Sequence, residues 1–351
     1  MFEDLLSGGK FPYCSLFSGS RYSGRMYAAT EVANKLGAGL DGTLILSDRN
    51  NSIDIRAALN LYRKHRNDSA AALLRRVVQT FLKQFHGALL DSQSQAGKRR
   101  FSEAGEAMDL LSGLSSLKED DVPKWADSME KALEKLYPSP NSQAVTIGKI
   151  RDIRRWCSEY SADGKVKVII IEGIENSGES VSNSLLKILE EPPSDTYFIL
   201  ISSNPGRIGQ TILSRVRHFV FPDMSEAEKK RILTSLFVNP DDYKDLKSFF
   251  LTMSGTDDAL LLRSAQILST GKKPDVNALV QELEKNRTWE RFYELLTSEI
   301  RDRYNEGKIT ERKCSYLTEQ IESMVSKASS FNQISRLTFD FVLFRTLEVL
   351  S

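Results

Sequence analysis

Two glycines five residues apart, Gly19 and Gly24, are followed at once by a cation, Arg25, and a thioether, Met26. They come after the apolar lead Cys14-Ser-Leu-Phe17 and before a stretch, about Tyr27 to Leu36, that reads as a helix. A strand, a glycine turn and a helix in that order set backbone N–H groups around an anion at a helix N-terminus. A loop of this type that handles a nucleoside triphosphate carries Lys and then Ser or Thr after the second glycine. The lysine reaches the terminal phosphates and the hydroxyl holds Mg²⁺. Arg25 keeps the charge, but as a planar fork in place of a compact ammonium. Met26 offers no hard oxygen to Mg²⁺. Gly-x4-Gly alone is a weak signal, and an ordinary strand–turn–helix corner explains it as well.

More specific information lies downstream. Ser182-Asn-Ser-Leu-Leu-Lys-Ile-Leu-Glu-Glu-Pro-Pro193 reads as a short amphipathic helix that buries Leu185, Leu186, Ile188 and Leu189. Pro192 and Pro193 stop it, because proline has no N–H to extend the ladder. An apolar strand follows, Tyr197-Phe-Ile-Leu-Ile-Ser-Ser203, flanked by Asp195 and by the turn residues Asn204-Pro205-Gly206. A helix-like turn, Thr211-Ile-Leu-Ser-Arg-Val216, and another strand, His218 to Phe221, come next. In this order and spacing the elements resemble the clamp-loader branch of the AAA+ nucleotidases, the group that holds the gamma/tau and delta-prime subunits of bacterial DNA polymerase III. The resemblance covers about three quarters of the chain, and its specific motifs lie between Val145 and Phe221.

The resemblance implies roles for individual residues. The run Lys165-Val-Lys-Val-Ile-Ile-Ile-Glu172-Gly173-Ile174 is the kind of continuous apolar stretch found in a strand buried on both faces. In active relatives that strand ends in Asp-Glu, the first acid orienting Mg²⁺ and the second activating water. Glu172 stands at the first position and Gly173 at the second, with Glu175 two residues beyond. The resemblance thus implies a degenerate nucleotide site formed by Gly19, Gly24, Arg25 and Glu172, with no bound cofactor and no metal site. Charge and both glycines persist, which is compatible with weak ATP or ADP binding. Ser214-Arg215 is similar to the family's Ser-Arg-Cys element, with Val216 in place of cysteine. There the arginine is a trans finger that points into the ATP site of the adjacent subunit. In GTPase systems a finger is worth roughly 10³–10⁵ in rate. A solvated arginine at a helix end is the plainer reading of Arg215, and Arg217 is a rival for the finger role.

Composition sets the frame. The chain has 351 residues, 40% apolar and 27% charged, with a formal net charge of +1. That is ample for two or three soluble domains. A near-neutral balance argues against wrapping nucleic acid without partners. No apolar run approaches the length of a membrane span and no basic-then-apolar leader opens the chain, so the expected location is cytoplasmic. Cys14, Cys157 and Cys314 lie too far apart for a disulfide framework or a sequential metal site. His65, His86 and His218 have no convincing Ser or Cys partner in the sequence.

Where many relatives carry a four-cysteine zinc module, residues 52–142 read as a helical insertion. The family pattern pauses after Leu44-Ile-Leu-Ser-Asp48 and resumes at Val145. Leu73, Val77, Phe81, Phe85 and Leu89, joined by Leu74, Val78 and Leu82, predict one helix with a broad apolar stripe. A second helix is predicted from about Lys124 to Leu136, ended by Pro138 and Pro140. Residues 51–100 hold ten Lys/Arg against three Asp/Glu, and 101–142 hold four against nine. Two readings follow: a hairpin whose arms pair face to face, or a basic arm (Arg63, Lys64, Arg66, Arg75, Arg76) that touches DNA phosphates.

The expected fold is therefore α/β: an AAA+, RecA-like parallel-sheet domain over 1–222, a small helical lid over 223–272 and an all-helical collar over 273–351. Ser225-Glu-Ala-Glu228 marks a helix N-terminus at the start of the lid. In Ser254-Gly-Thr-Asp-Asp-Ala-Leu260, Asp257 or Asp258 replaces the arginine that senses nucleotide in active members. Ile334, Leu337, Phe341, Phe344 and Leu347 form an apolar face on the last helix. The resemblance implies a delta-prime-like stator that joins gamma/tau and delta subunits and helps to place the sliding clamp on primed DNA. The chain alone would not hydrolyse ATP. Two other readings stay open: a divergent gamma/tau-type motor, and a docking platform unrelated to replication.

Overall fold

Alternate residues of four short apolar runs, with a fifth strand that buries only Phe219, face opposite sides of one parallel sheet. In the computed structural model, which describes residues 11–39, 41–47, 51–90, 94–137, 145–159, 166–243, 245–255, 258–286, 288–331 and 335–350, these strands are β1 (Cys14–Ser18), β2 (Thr43–Ser47), β3 (Lys167–Glu172), β4 (Thr196–Ser202) and β5 (Arg217–Val220). Their spatial order is β2-β3-β4-β1-β5. Leu16, Leu44, Leu46, Ile169, Ile171, Phe198 and Leu200 point to one face. Phe17, Ile45, Val168, Ile170, Ile199, Ile201 and Phe219 point to the other. Each strand alternates with a period of two, yet both sides are apolar, because helices cover both.

The helices of this region are α1 (Arg25–Lys35), α2 (Ser52–His65), α3 (Asp68–Leu82), α4 (Gln95–Ser112), α5 (Val122–Glu134), α6 (Ile147–Glu159), α7 (Glu179–Glu190) and the single turn α8 (Gln210–Leu213). Helix α1 covers the Phe17 face with Ala29, Val32 and Ala33. Helices α6 and α7 cover the other with Ile150, Ile153, Trp156, Val181, Leu185, Ile188 and Leu189. Helix α7 starts three residues before the predicted Ser182 and ends at Glu190, one residue short of the residue that Pro192 holds out of the helical region. Buried Lys167 donates to the carbonyls of Trp156 and Cys157 at 3.3 and 2.8 Å, satisfying C-terminal groups of α6.

The insertion differs from its prediction. The stripe from Leu73 to Leu89 is not one helix: α3 stops at Leu82, and Phe85 and Leu89 lie in two separate short 3₁₀ turns. The reason is packing. Leu89 is buried in the sheet cluster with Val145 and Trp156, and the His86 ring meets Trp156 edge-on with centroids 5.7 Å apart. The chain thus returns to the sheet within the insertion, and α2–α3 and α4–α5 flank that return. Basic and acidic arms pair where they meet. Arg63 bonds Asp127 at 2.7 Å and Glu130 at 3.1 Å, while Lys135 bonds Glu106 at 3.0 Å within the acidic arm itself. Arg75 donates to Ser115 Oγ at 2.9 Å, and Arg76 lies 4.3 Å over the Tyr27 ring of α1. The indole N–H of Trp125 ties α5 to the Leu110 carbonyl of α4.

Beyond β5 come α9 (Glu226–Ser235), α10 (Leu246–Met253), α11 (Asp258–Ser269), α12 (Val276–Asn286), α13 (Trp289–Asn305), α14 (Glu311–Phe331) and α15 (Ser335–Leu350). Ser225 and Glu228 form a reciprocal capping box at the start of α9. The described residues divide into two compact units, one within 1–51, 58–137 and 143–249 and one within 52–57 and 250–351. This division falls inside α10, where the sequence suggests boundaries at 222 and 272. Helices α11–α15 share a core of Leu261, Leu279, Phe292, Leu296, Leu317 and Phe339. Helix α15 buries Phe339, Val342 and Leu343, while Leu337 and Phe344 of the predicted stripe are 63% and 64% exposed. Asp257 and Ile334 lie outside the described residues. Among the described residues no helix is long and apolar enough to cross a membrane.

If the return to the sheet is structural, Leu89→Ala should cost about 2–5 kcal/mol, as for other fully buried leucines. Denaturant unfolding of the variant checks this; a loss under about 0.5 kcal/mol, typical of surface changes, would contradict it.

Candidate functional site

In an open parallel sheet, ligands gather at the carboxyl ends of strands, where successive connections leave in opposite directions. Here that place is the end of β1, between β4 and β5. Gly19 follows β1 directly. Its N–H donates to the Ser202 carbonyl at 3.3 Å, and any Cβ would run into the Phe221 carbonyl and the Ser23 hydroxyl. Gly24 precedes α1 in the left-handed region, φ 88°, a conformation that costs other residues about 1–2 kcal/mol. Both glycines predicted for an anion turn are thus required by the backbone.

Arg25 opens α1 and is 2% exposed. Its Nη2 donates to Ser203 Oγ at 3.1 Å, which draws the guanidinium onto the end of β4. Ser203 in turn donates its N–H to Glu175 Oε1 at 2.8 Å, and the Asn204 N–H reaches the same oxygen at 3.4 Å. The Glu175 carboxylate is therefore engaged with the backbone beyond β4. At the end of β3, Glu172 is buried and accepts from Ser47 Oγ at 2.7 Å. Gly173 turns the chain at φ 84° and donates to the Ile201 carbonyl at 3.1 Å. Met26 is partly buried against the apolar cluster on the α1 face of the sheet.

The structure brings Arg25 together with Ser203 and Glu175, and Glu172 with Ser47. Ser47 and Ser203 are the residues that sequence spacing misses, since 125 and 178 positions separate them from their partners. Their position at strand ends is the signal that would have found them. Chemically, the turn offers an anion backbone N–H groups and one cation. At positions 26 and 173 no side-chain oxygen is available to ligate Mg²⁺ or to activate water. Among the described residues no group of three His, Cys, Asp or Glu is placed to hold a metal ion.

Arg215 and Ser214 form a second cluster, on the exposed loop between α8 and β5. Arg215 donates from Nε and Nη2 to Glu190 Oε1, at 3.0 and 2.6 Å. Its Nη1 donates to the Thr211 carbonyl at 2.8 Å and to Ser214 Oγ at 3.1 Å. Arg217 is instead the first residue of β5, and its guanidinium lies 5.8 Å from the Phe219 ring centroid.

One expectation about the histidines needs correction. Nε2 of His218 shares a 2.6 Å hydrogen bond with Ser18 Oγ, across parallel strands and 200 positions apart in sequence. Ser18 is only 3% exposed, which keeps its hydroxyl from attacking a substrate. The Cys14 and Cys157 thiols are inert for a similar reason, burial pushing both up to about 11.

Residues 82–225 match the family model described as DNA polymerase III, delta subunit, starting where the chain returns to the sheet. The family match covers Glu172, Ser214 and Arg215 and leaves out the glycine turn. The delta' subunit of DNA polymerase III from Haemophilus influenzae is 31% identical over 111 residues, 28% of this chain and 34% of that protein. The Pseudomonas aeruginosa delta' subunit is 30% identical over 120 residues, 34% and 36% of the two chains. The tau subunit of Bacillus subtilis is 39% identical over 75 residues, 21% of this chain and 13% of that one. The chain thus spans about a third of the length of the delta' relatives named here. A solved gamma-subunit-related protein from Thermotoga maritima covers 66% of this chain and 92% of its own at 18% identity, with a TM-score of 0.34.

The left-handed backbone at Gly173 disfavours any side chain there. Gly173→Glu should lower stability by about 1–2 kcal/mol without conferring ATP turnover. Denaturant unfolding and phosphate release check the two halves, and a stable, hydrolysing variant would contradict both.

Proposed function

We propose that this chain, whose residues 82–225 match the family model described as DNA polymerase III, delta subunit, is a delta-prime-like stator of a bacterial clamp loader. It would join gamma/tau and delta subunits, help to place the sliding clamp on primed DNA, and supply Arg215 in trans to a neighbour's ATP site. A contrast between two sites of one chain carries this reading. Its own sheet edge has no side-chain oxygen at position 26 beside the glycine turn or at position 173 after β3, and its guanidinium is buried against Ser203. Arg215, outside that turn, is exposed and held at a loop between helix and strand.

A finger must reach another molecule, so exposure and a fixed mount both favour the role. Arg215 has both. Arg217 lies in a strand with its guanidinium against Phe219, so Arg215 is the better candidate. Ser214 supports it by accepting from Nη1. The nucleotide site of Gly19, Gly24, Arg25 and Glu172 is then degenerate, in keeping with at most weak ATP or ADP binding and no need for a cofactor. Residues 223–272 would act as the lid and 273–351 as the collar. Leu337 and Phe344, exposed on α15, give that collar an apolar contact surface. The cytoplasm is the location that fits a replication role.

Purified alone, the chain should release no phosphate from ATP. Mixed with its gamma/tau and delta partners, the clamp and primed DNA, it should raise their turnover. Phosphate release by the isolated chain, abolished by Arg25→Met, would overturn the proposal. A second expectation concerns assembly. Replacing Leu337 and Phe344 together by Asp should weaken incorporation into the complex, read by native mass spectrometry, while circular dichroism of the free chain stays the same. Full incorporation would remove the collar role of this face.

A further inference from the structure

The Glu190–Arg215 contact has a feature that helix stability does not explain. Glu190 is the last residue of α7, and Glu191 follows it before Pro192-Pro193. A carboxylate at a helix C-terminus faces the negative end of the macrodipole, where cations are favoured. The prolines fix that end, since Pro192 keeps Glu191 out of the helical region, at φ −132° and ψ 74°. Glu190 is thereby set opposite the loop that carries Arg215.

A guanidinium has five N–H donors in one rigid plane. Four are used within the chain: Nε and one N–H of Nη2 on Glu190 Oε1, and both of Nη1 on the Thr211 carbonyl and Ser214 Oγ. The fifth, on Nη2, is left for another acceptor, and the side chain is 33% exposed. An exposed arginine without such a hold would spread over many rotamers. Here two elements fix it from opposite edges, α7 through Glu190 and α8 through Thr211.

We propose that Glu190 is a positioning residue for Arg215: it fixes the plane of the guanidinium so that the remaining N–H meets a phosphoryl oxygen bound by a neighbouring subunit. The proposal rests on the reading of Arg215 as a trans finger. Preorganised donors stabilise developing charge without reorganising at the moment of reaction, so loosening the mount should lower turnover and leave binding of the nucleotide unchanged. The pair adds little to stability, because both side chains are substantially exposed. Variants at 190 should therefore fold.

The test uses the complete assembly of this chain with gamma/tau and delta subunits, clamp and primed DNA, and compares Glu190→Ala, Glu190→Gln, Arg215→Ala and the Glu190→Ala/Arg215→Ala double variant. Glu190→Ala should reduce kcat for ATP by roughly ten- to a hundredfold, the scale of a misplaced group, with KM and assembly unchanged. Glu190→Gln, whose amide oxygen still accepts, should keep more activity than Glu190→Ala. The double variant should be no slower than Arg215→Ala, since Glu190 acts only through the arginine. Unchanged or raised turnover in Glu190→Ala, or a double variant slower than Arg215→Ala by the full single-variant factor, would overturn the positioning role while leaving the finger in place. Unchanged turnover in Arg215→Ala would overturn the finger and the positioning role with it.

Discussion

A strand that runs parallel to its neighbour cannot be reached through a tight turn; the chain must cross over the sheet first. All four ladders of this sheet are parallel, so every strand ends at the same edge. That constraint assembles the site. It brings Gly19 to Ser202, Gly173 to Ile201 and Phe221 to Ser18 through backbone hydrogen bonds. The same edge brings Arg25 to Ser203 and Ser47 to Glu172. Loosening the β1–β4 ladder would separate the glycine turn from Ser202 and Ser203 together.

At this edge some features depend on backbone and others on side chains. Gly19 is held by collision with Phe221 and Gly24 by its left-handed conformation, so the fold itself retains them. Position 26 packs against the apolar cluster on α1, and a methionine there fills space. Gly173 is suited to its turn. Packing and turn geometry hold this scaffold independently of any phosphate contact. Arg215 is outside that scaffold's interior and is held by α7 and α8 instead.

Much of this was legible in the sequence, and the gaps have physical causes. Strands β1 to β4 and α7 are short, apolar and bounded by turn residues or prolines, so their periods identify them. The 73–89 stripe misleads because an i, i+4 pattern persists across the break after Leu82, where Leu89 turns to a different core. Helix α4 is rich in polar residues, with small ones such as Ala104 and Ala107 on its buried side, and so gives a weak apolar signal. Helix α15 is apolar on more than one side, so its period could not choose the face that Phe339 and Val342 bury. Contacts such as Ser18–His218 and Glu190–Arg215 depend on topology, which spacing along the chain does not encode. Glu190 and Glu191 are equivalent in sequence, and only the end of the helix distinguishes them.

In the proposed function this chain contributes to hydrolysis through Arg215 and not through its own glycine turn. The most direct test measures ATP turnover of the complete assembly with two variants side by side, Arg215→Ala and Arg25→Met, each first shown to be folded and incorporated. The account predicts a large loss for Arg215→Ala and wild-type turnover for Arg25→Met. The reverse pattern, full activity without Arg215 and loss without Arg25, would contradict it.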